Sequence, residues 1–178
     1  MKKALAMGLA LAMLALSSAN AWDPAKNEED VAKGQATIDA LLESNPKMQR
    51  YFDAAAGYVV IPTVGKGGFG IGGARGKGLL YENGEPTAEV TMTQLSIGFQ
   101  WGGQAYSEFV FFEDTGALEH FKKGNYELGA QASAVAVTAG ASIDAGYESG
   151  VAIFTQVKGG LMYEATLGGQ KFGYKPVE

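Results

Sequence analysis

Glycine placement constrains this chain more than any other feature. All but one of its 26 glycines lie beyond residue 21, and most lie beyond Gly57. Glycine at that density opposes long helices and suits strands that bend sharply, cross closely or carry bulges. These glycines stand among Val, Ile, Phe and Tyr rather than Ser and Pro, so the segment reads as folded β-structure and not as a disordered linker.

The first 21 residues have a different character. Met1-Lys2-Lys3 is a basic start, Ala4 to Leu16 is an unbroken apolar run, and Ala19-Asn20-Ala21 is a small-x-small site just before Trp22. That layout predicts a secretory signal peptide over residues 1–21. The run is shorter than the roughly 20 apolar residues a membrane-spanning helix needs. The expected mature chain, residues 22–178, is a single domain that works in the periplasm, soluble or peripherally membrane-associated. Without cysteine, the lipid anchor of a bacterial lipoprotein, disulfides, thiol catalysis and cysteine-based metal sites are excluded. Dropping Lys2 and Lys3 takes the basic count from 14 to 12 against 19 acidic residues, a net charge near −7. Such a chain is a poor nucleic-acid binder, because that affinity comes largely from phosphate neutralisation.

Residues 27–56 read as helical. Val31, Gln35, Ile38 and Leu42 share one face with Leu41 beside them, and Glu28, Glu29 and Asp30 complement the dipole in the first turn. Ser44-Asn45-Pro46 ends this helix and starts another, with Asn45 as the expected cap and Met48, Tyr51, Phe52 and Ala55 facing the core. From Tyr58 the period changes to two. Asn83-Gly84 between Leu79–Glu82 and Glu85–Thr93 is a strong hairpin signal. A parity switch after Met92 predicts a bulge near Thr93-Gln94. A short helix interrupts the strands, capped by Asp114 or Thr115, facing inward with Leu118 and Phe121, and closed by Gly124. Strands are then expected at 126–137, 142–147, 151–158, 161–167 and 171–174. The sum is an α+β fold: N-terminal helices followed by a strongly curved, barrel-like antiparallel β-sheet with one short inserted helix.

Gly65-Lys66-Gly67-Gly68-Phe69-Gly70 matches G-x-G-x-x-G. A dinucleotide site needs a helix to open there, and Ile71-Gly72-Gly73-Ala74-Arg75-Gly76-Lys77-Gly78 is too glycine-rich for one. A β-segment bent around a barrel corner is the expectation. Lys66, Arg75 and Lys77 stand close together in it without an intervening acid, an arrangement suited to a phosphate or lipid headgroup. Lys158, Lys171 and Lys175 form a looser second set that joins the first only if the fold brings the segments together. His120, the sole histidine, has no partner at metal-ligand spacing. No Gly-x-Ser-x-Gly elbow occurs, and carboxylates such as Glu108 with Glu113-Asp114 read more simply as strand and loop acids than as an acid–base pair.

Three ordered blocks resemble the SYLF family, which binds lipid and includes yeast actin-patch proteins. They are Gly57-Tyr-Val-Val-Ile-Pro through to Gly-Lys-Gly78, then Ala117-Leu-Glu-His-Phe-Lys-Lys-Gly124 running into Tyr126-Glu-Leu-Gly129, then Val151 to Leu161 and on to Leu167-Gly-Gly169. The resemblance implies a β-rich domain with N-terminal helices that binds membrane lipid, phosphoinositides in the eukaryotic members. There the activity is attributed largely to a basic, amphipathic N-terminal region. This chain departs from that pattern: between Lys26 and Glu43 it sets Glu28, Glu29, Asp30, Asp39 and Glu43 against Lys26 and Lys33.

The expected function is therefore a periplasmic, non-enzymatic phospholipid-binding protein of the cell envelope. Lys66, Arg75 and Lys77 are the expected headgroup ligands, and Phe69 and Trp101 the apolar contacts. No cofactor or metal is expected, and neither nucleic acid nor actin is an expected partner. The rival from another class is a structural or partner-binding envelope protein without lipid affinity. An outer-membrane β-barrel, suggested by the glycine- and aromatic-rich strands, is opposed by the leading helices and the charged helix at 114–124.

Overall fold

A computed structural model describes residues 23–69, 71–97, 104–129, 133–140, 143, 146–159, 165–166 and 169–176; the expected signal peptide and Trp101 fall outside them. Helices α1 (Glu28–Ser44) and α2 (Gln49–Ala54) come first, and the short helix α3 (Thr115–Lys122) is inserted later. The strands are β1 (Gly57–Phe69), β2 (Ile71–Glu82), β3 (Glu85–Ile97), β4 (Gln104–Phe112), β5 (Tyr126–Glu127), β6 (Ser133–Ala136), β7 (Val151–Gly159), β8 (Ala165–Thr166) and β9 (Gln170–Pro176). They form one sheet in the order β5-β9-β3-β2-β1-β4-β7-β6-β8.

Local signals explain the boundaries. The 3₁₀ turn at Pro46 separates the two helices, as proline at a first helical position should. Asn45 stands at the N-cap position, its carbonyl accepting from the Met48 N–H at 3.0 Å, but its side chain makes no cap hydrogen bond, and its Nδ2 donates to the Thr138 carbonyl at 3.3 Å. Asn83 and Gly84 turn with φ of 53° and 81°, the left-handed pair that a two-residue hairpin requires. The Asp114 carboxylate caps α3 by accepting from the Ala117 N–H at 2.8 Å. Gly124 leaves the helix at φ 76°.

The sheet is mixed rather than wholly antiparallel, because β6 runs parallel to β7. The chain between them, residues 137–150, has the length a parallel crossover needs. The glycine-rich run is not a corner. It forms the long β1–β2 hairpin, paired continuously from Thr63↔Lys77 to Phe69↔Ile71. The bulge expected at Thr93-Gln94 is absent there, since β3 pairs in unbroken register with both neighbours through those residues. Gln94 keeps the inward parity of Val90 and Met92 and is itself buried.

A hydrogen bond measures the curl. Gln170 Nε2 on β9 donates to Glu108 Oε2 on β4 at 3.0 Å. The two strands stand four places apart in the sheet, about 19 Å if it were flat, so the sheet wraps into a half-barrel. Its concave side holds one core, including Val59, Ile61, Leu80, Val90, Met92, Phe112 and Ile153, with Leu118 and Phe121 of α3 packed in. The convex side holds a second core, where Ile38, Leu41, Met48 and Tyr51 of the helical segment cover Val60, Leu79, Tyr81, Phe109, Phe111 and Phe154. The aromatics crowding β4 are therefore core: Phe109, Phe111 and Phe112 are fully buried.

Candidate functional site

A bulge in β1 builds the site. Val60 pairs with Leu79 and Thr63 with Lys77, so Ile61 and Pro62 together oppose Gly78. On the other edge Ile61 pairs with Glu108 and Val64 with Tyr106, which leaves Pro62 and Thr63 against Ser107. Pro62 has no N–H to lose from the ladder, and the Ser107 hydroxyl donates to its carbonyl at 2.9 Å. Gly78 is obligatory: a Cβ there would sit 2.1 Å from the Val60 carbonyl oxygen.

On the convex side this bulge and α1 enclose a continuous groove. One part, about 250 Å³, is lined by Asp30, Lys33, Pro62, Thr63, Lys77, Gly78 and Leu79. The other, about 420 Å³, shares Lys33, Pro62 and Thr63 and runs on past Ala36, Thr37 and Ala40 to Ser107, Gln156 and Lys158. Helix α1 comes close because Gly34 faces Tyr81, whose hydroxyl would lie 2.2 Å from any Cβ at that position.

Three cations, Lys33, Lys77 and Lys158, line the groove, and Arg75 lies beyond it on β2. Lys77 bridges Asp30 at 2.9 Å and Glu89 at 2.8 Å. Those bonds, to Glu89 first and Asp30 second, raise its pKa. Lys33 binds Glu29 at 2.6 Å, which raises its pKa likewise. Lys158 reaches across to donate to Thr63 Oγ1 at 3.2 Å. Arg75 is exposed two residues before Lys77 on β2, level with Gly65 and Thr93, and has no ion pair among the described residues. Arg75 and Lys158 are thus the cations left to meet an anion, and the Thr63 hydroxyl is the neutral donor beside them.

Of the residues singled out in the sequence, Arg75 and Lys77 share one parity of β2. Lys66 occupies the register position opposite Ala74 and Gln104, one step out of phase with Arg75. The Phe69 backbone pairs with Ile71 at the hairpin's end. The looser lysine set divides: Lys158 joins the groove, whereas Lys171 lies on β9 and binds Glu127 at 3.5 Å. Lys33, Asp30, Thr63 and Glu89 were not foreseen, because their approach depends on pairing between distant segments. Glu108 lies fully buried on the concave side, while Asp114 is engaged as a helix cap, so the two do not form a carboxylate pair. His120 is exposed on α3, its ring 5.6 Å from that of Tyr126.

These features define an α+β domain: a curled sheet with helices on its convex side and a partly neutralised cationic groove between them. Residues 93–174 match the family described as Ysc84, Las17-binding protein actin regulator. That match is consistent with membership of the SYLF domain family, a family of binding domains associated with lipid and actin-patch binding. No curated protein matches the chain. The matched stretch contains Lys158, Glu108 and Gln170; Lys33, Thr63, Arg75 and Lys77 precede it.

Proposed function

We propose that this is a secreted, non-enzymatic phospholipid-binding protein of the cell envelope, acting in the periplasm at a membrane surface. The observation that carries the reading is the convergence at Thr63, where Lys158 arrives from β7 beside Lys77, with Arg75, which has no ion pair among the described residues, two residues further along β2. A headgroup phosphate takes hydrogen bonds from Arg75, Lys158 and the Thr63 hydroxyl, with Arg75 suited to bidentate contact. Lys77, held by two carboxylates, orders the groove and adds little net positive charge. In this reading Phe69 and Trp101 meet the acyl region, while Lys66, out of phase with Arg75 in the sheet, takes no part in the groove. Exposed cations contribute little each and are screened by salt, so binding is weak per molecule and depends on ionic strength.

The test is a titration of the mature protein with a short-chain phosphatidylglycerol, followed by amide chemical shifts. Shifts should concentrate at Thr63, Arg75 and Lys158, and the Arg75→Ala/Lys158→Ala double variant should lose them while keeping its fold. An unchanged response in that variant would sink the site.

A further inference from the structure

The concave interior is graded. Towards α3 it is apolar, filled by Val90, Phe112, Leu118, Phe121 and Phe172. Further along the strands it becomes polar: Gln94, Glu108, Thr155 and Gln170 are all buried on that side. Glu108 stands at the centre of this layer, fully buried, paired in register with Ile61 on β1 and Thr155 on β7.

Its hydrogen bonding is incomplete in one particular way. Gln170 donates to Oε2, but Oε1 has no partner among the described residues. Thr155 Oγ1 and Gln170 Oε1, both buried, also lack partners among the described residues. Of these, the Gln170 amide oxygen and an ionised Glu108 only accept, while the Thr155 hydroxyl, in register with Glu108, can accept or donate. The described groups around the carboxyl are neutral: Tyr106 on β4, Thr155 on β7, Gln170 on β9, Gln94 on β3, Ile61 on β1 and Ala74 on β2. Tyr106 is the other titratable group among them; burial first and Glu108 second raise its pKa, so it stays a neutral phenol. Lys66 occupies a register position on this side, three pairs along from Ile61–Glu108 and opposite Gln104. An ionised carboxylate without a counter-charge is costly in such a place. A proton on Oε1 removes that charge and lets the carboxyl itself donate, to the Thr155 hydroxyl or the Gln170 amide oxygen.

We infer that Glu108 is a proton-binding latch: protonated, it ties β4, β7 and β9 together across the half-barrel, and losing the proton loosens the curl at the polar end. Burial pushes the Glu108 carboxyl up to about 7, the Gln170 hydrogen bond pulling the other way, which sets the switching range near neutrality. The inference is independent of the lipid reading.

The decisive experiment is ¹³C-glutamate NMR of the intact mature protein across pH 4 to 9, with Glu108→Gln as the assignment variant. One Cδ resonance should titrate near neutral pH and be missing in Glu108→Gln, while the others titrate in the ordinary carboxylate range. Hydrogen exchange of the β9 amides, corrected for the intrinsic rate, should quicken about tenfold or more between pH 6 and 8.5 in the wild type. It should stay flat in Glu108→Gln. If every glutamate titrates in the ordinary range, the latch is wrong. A neutral-range resonance with no pH-dependent exchange would also refute it, because the proton would then control nothing. If Lys66→Met raised a carboxyl that titrates low in the wild type, Glu108 would be an ion-pair partner and the inference would fail.

Discussion

Replacing single glycines of the β1–β2 hairpin by alanine tests the bulge that shapes the groove. At Gly78 the added Cβ would lie 2.1 Å from the Val60 carbonyl oxygen, 2.7 Å from Ile61 Cα and 2.8 Å from Val60 C. All three are backbone atoms of the bulge, so no side-chain rotation relieves them. The strands must separate by more than an ångström to restore ordinary contact. Overpacking costs about 1–3 kcal/mol, and each ladder hydrogen bond lost adds about 1 kcal/mol, so Gly78→Ala should cost about 3–5 kcal/mol. At Gly76 the nearest atoms are the Ile61 and Val64 Cγ2 methyls at 2.6 and 3.0 Å, which can shift in part, and about 1–3 kcal/mol is expected. At Gly65 no described atom lies within 4 Å and the φ is not left-handed. Gly65→Ala should be neutral or stabilise by up to about 1 kcal/mol through the unfolded chain. Urea unfolding midpoints of the three variants, at unchanged m-value, provide the measurement. A Gly78→Ala protein within about 1 kcal/mol of wild type, or any reordering of the series, would refute the reasoning.

Other consequences follow from single contacts. Asp114→Ala removes the cap of α3 and should cost about 1 kcal/mol, read as a lower thermal midpoint. Gly34→Ala gains about 1 kcal/mol of helix propensity but drives a methyl into the Tyr81 hydroxyl, 2.2 Å away; Tyr81 is buried and stacked on Tyr58 at 5.2 Å. Overpacking of up to about 3 kcal/mol should win, giving net destabilisation. Stability should depend on pH through Glu108. Its folded pKa is raised from 4.5 to about 7, so the native state binds more protons than the unfolded chain between those values. Its contribution is full below about 4.5, falls as pH rises, and is gone above about 7, a change on the order of 3 kcal/mol. Denaturant unfolding at several pH values should show this slope in the wild type and not in Glu108→Gln.

Much of the fold was legible locally. Asn83-Gly84, Pro46 and the Asp114…Gly124 bracket each specify backbone conformation from one or two residues, and the structure places turns, a break and a capped helix there. The glycine-rich hairpin was legible as β-structure but not in its shape, because bend and bulge depend on which residues oppose each other. Gly78 was needed for the close approach of Ile61-Pro62, a fact of pairing that composition does not reveal. Half of the groove was hidden for the same reason: Thr63 and Lys158 are 95 residues apart. The polar interior did leave a trace. Glu108 alternates in phase with Tyr106, Val110 and Phe112, and Gln94 with Val90 and Met92, so polar residues at inward parity marked the layer. The supposed bulge at Thr93-Gln94 came from assuming that inward positions must be apolar.

The central claim is that this protein binds phospholipid through a cationic groove, and flotation of the mature wild-type protein with vesicles tests it most directly. It should float with phosphatidylglycerol-rich vesicles at low ionic strength, dissociate as salt rises above about 0.15 M, and ignore purely zwitterionic vesicles. Protein that stays at the bottom of the gradient with anionic vesicles at low salt would contradict the account, and would leave an envelope protein that docks a protein partner as the better reading.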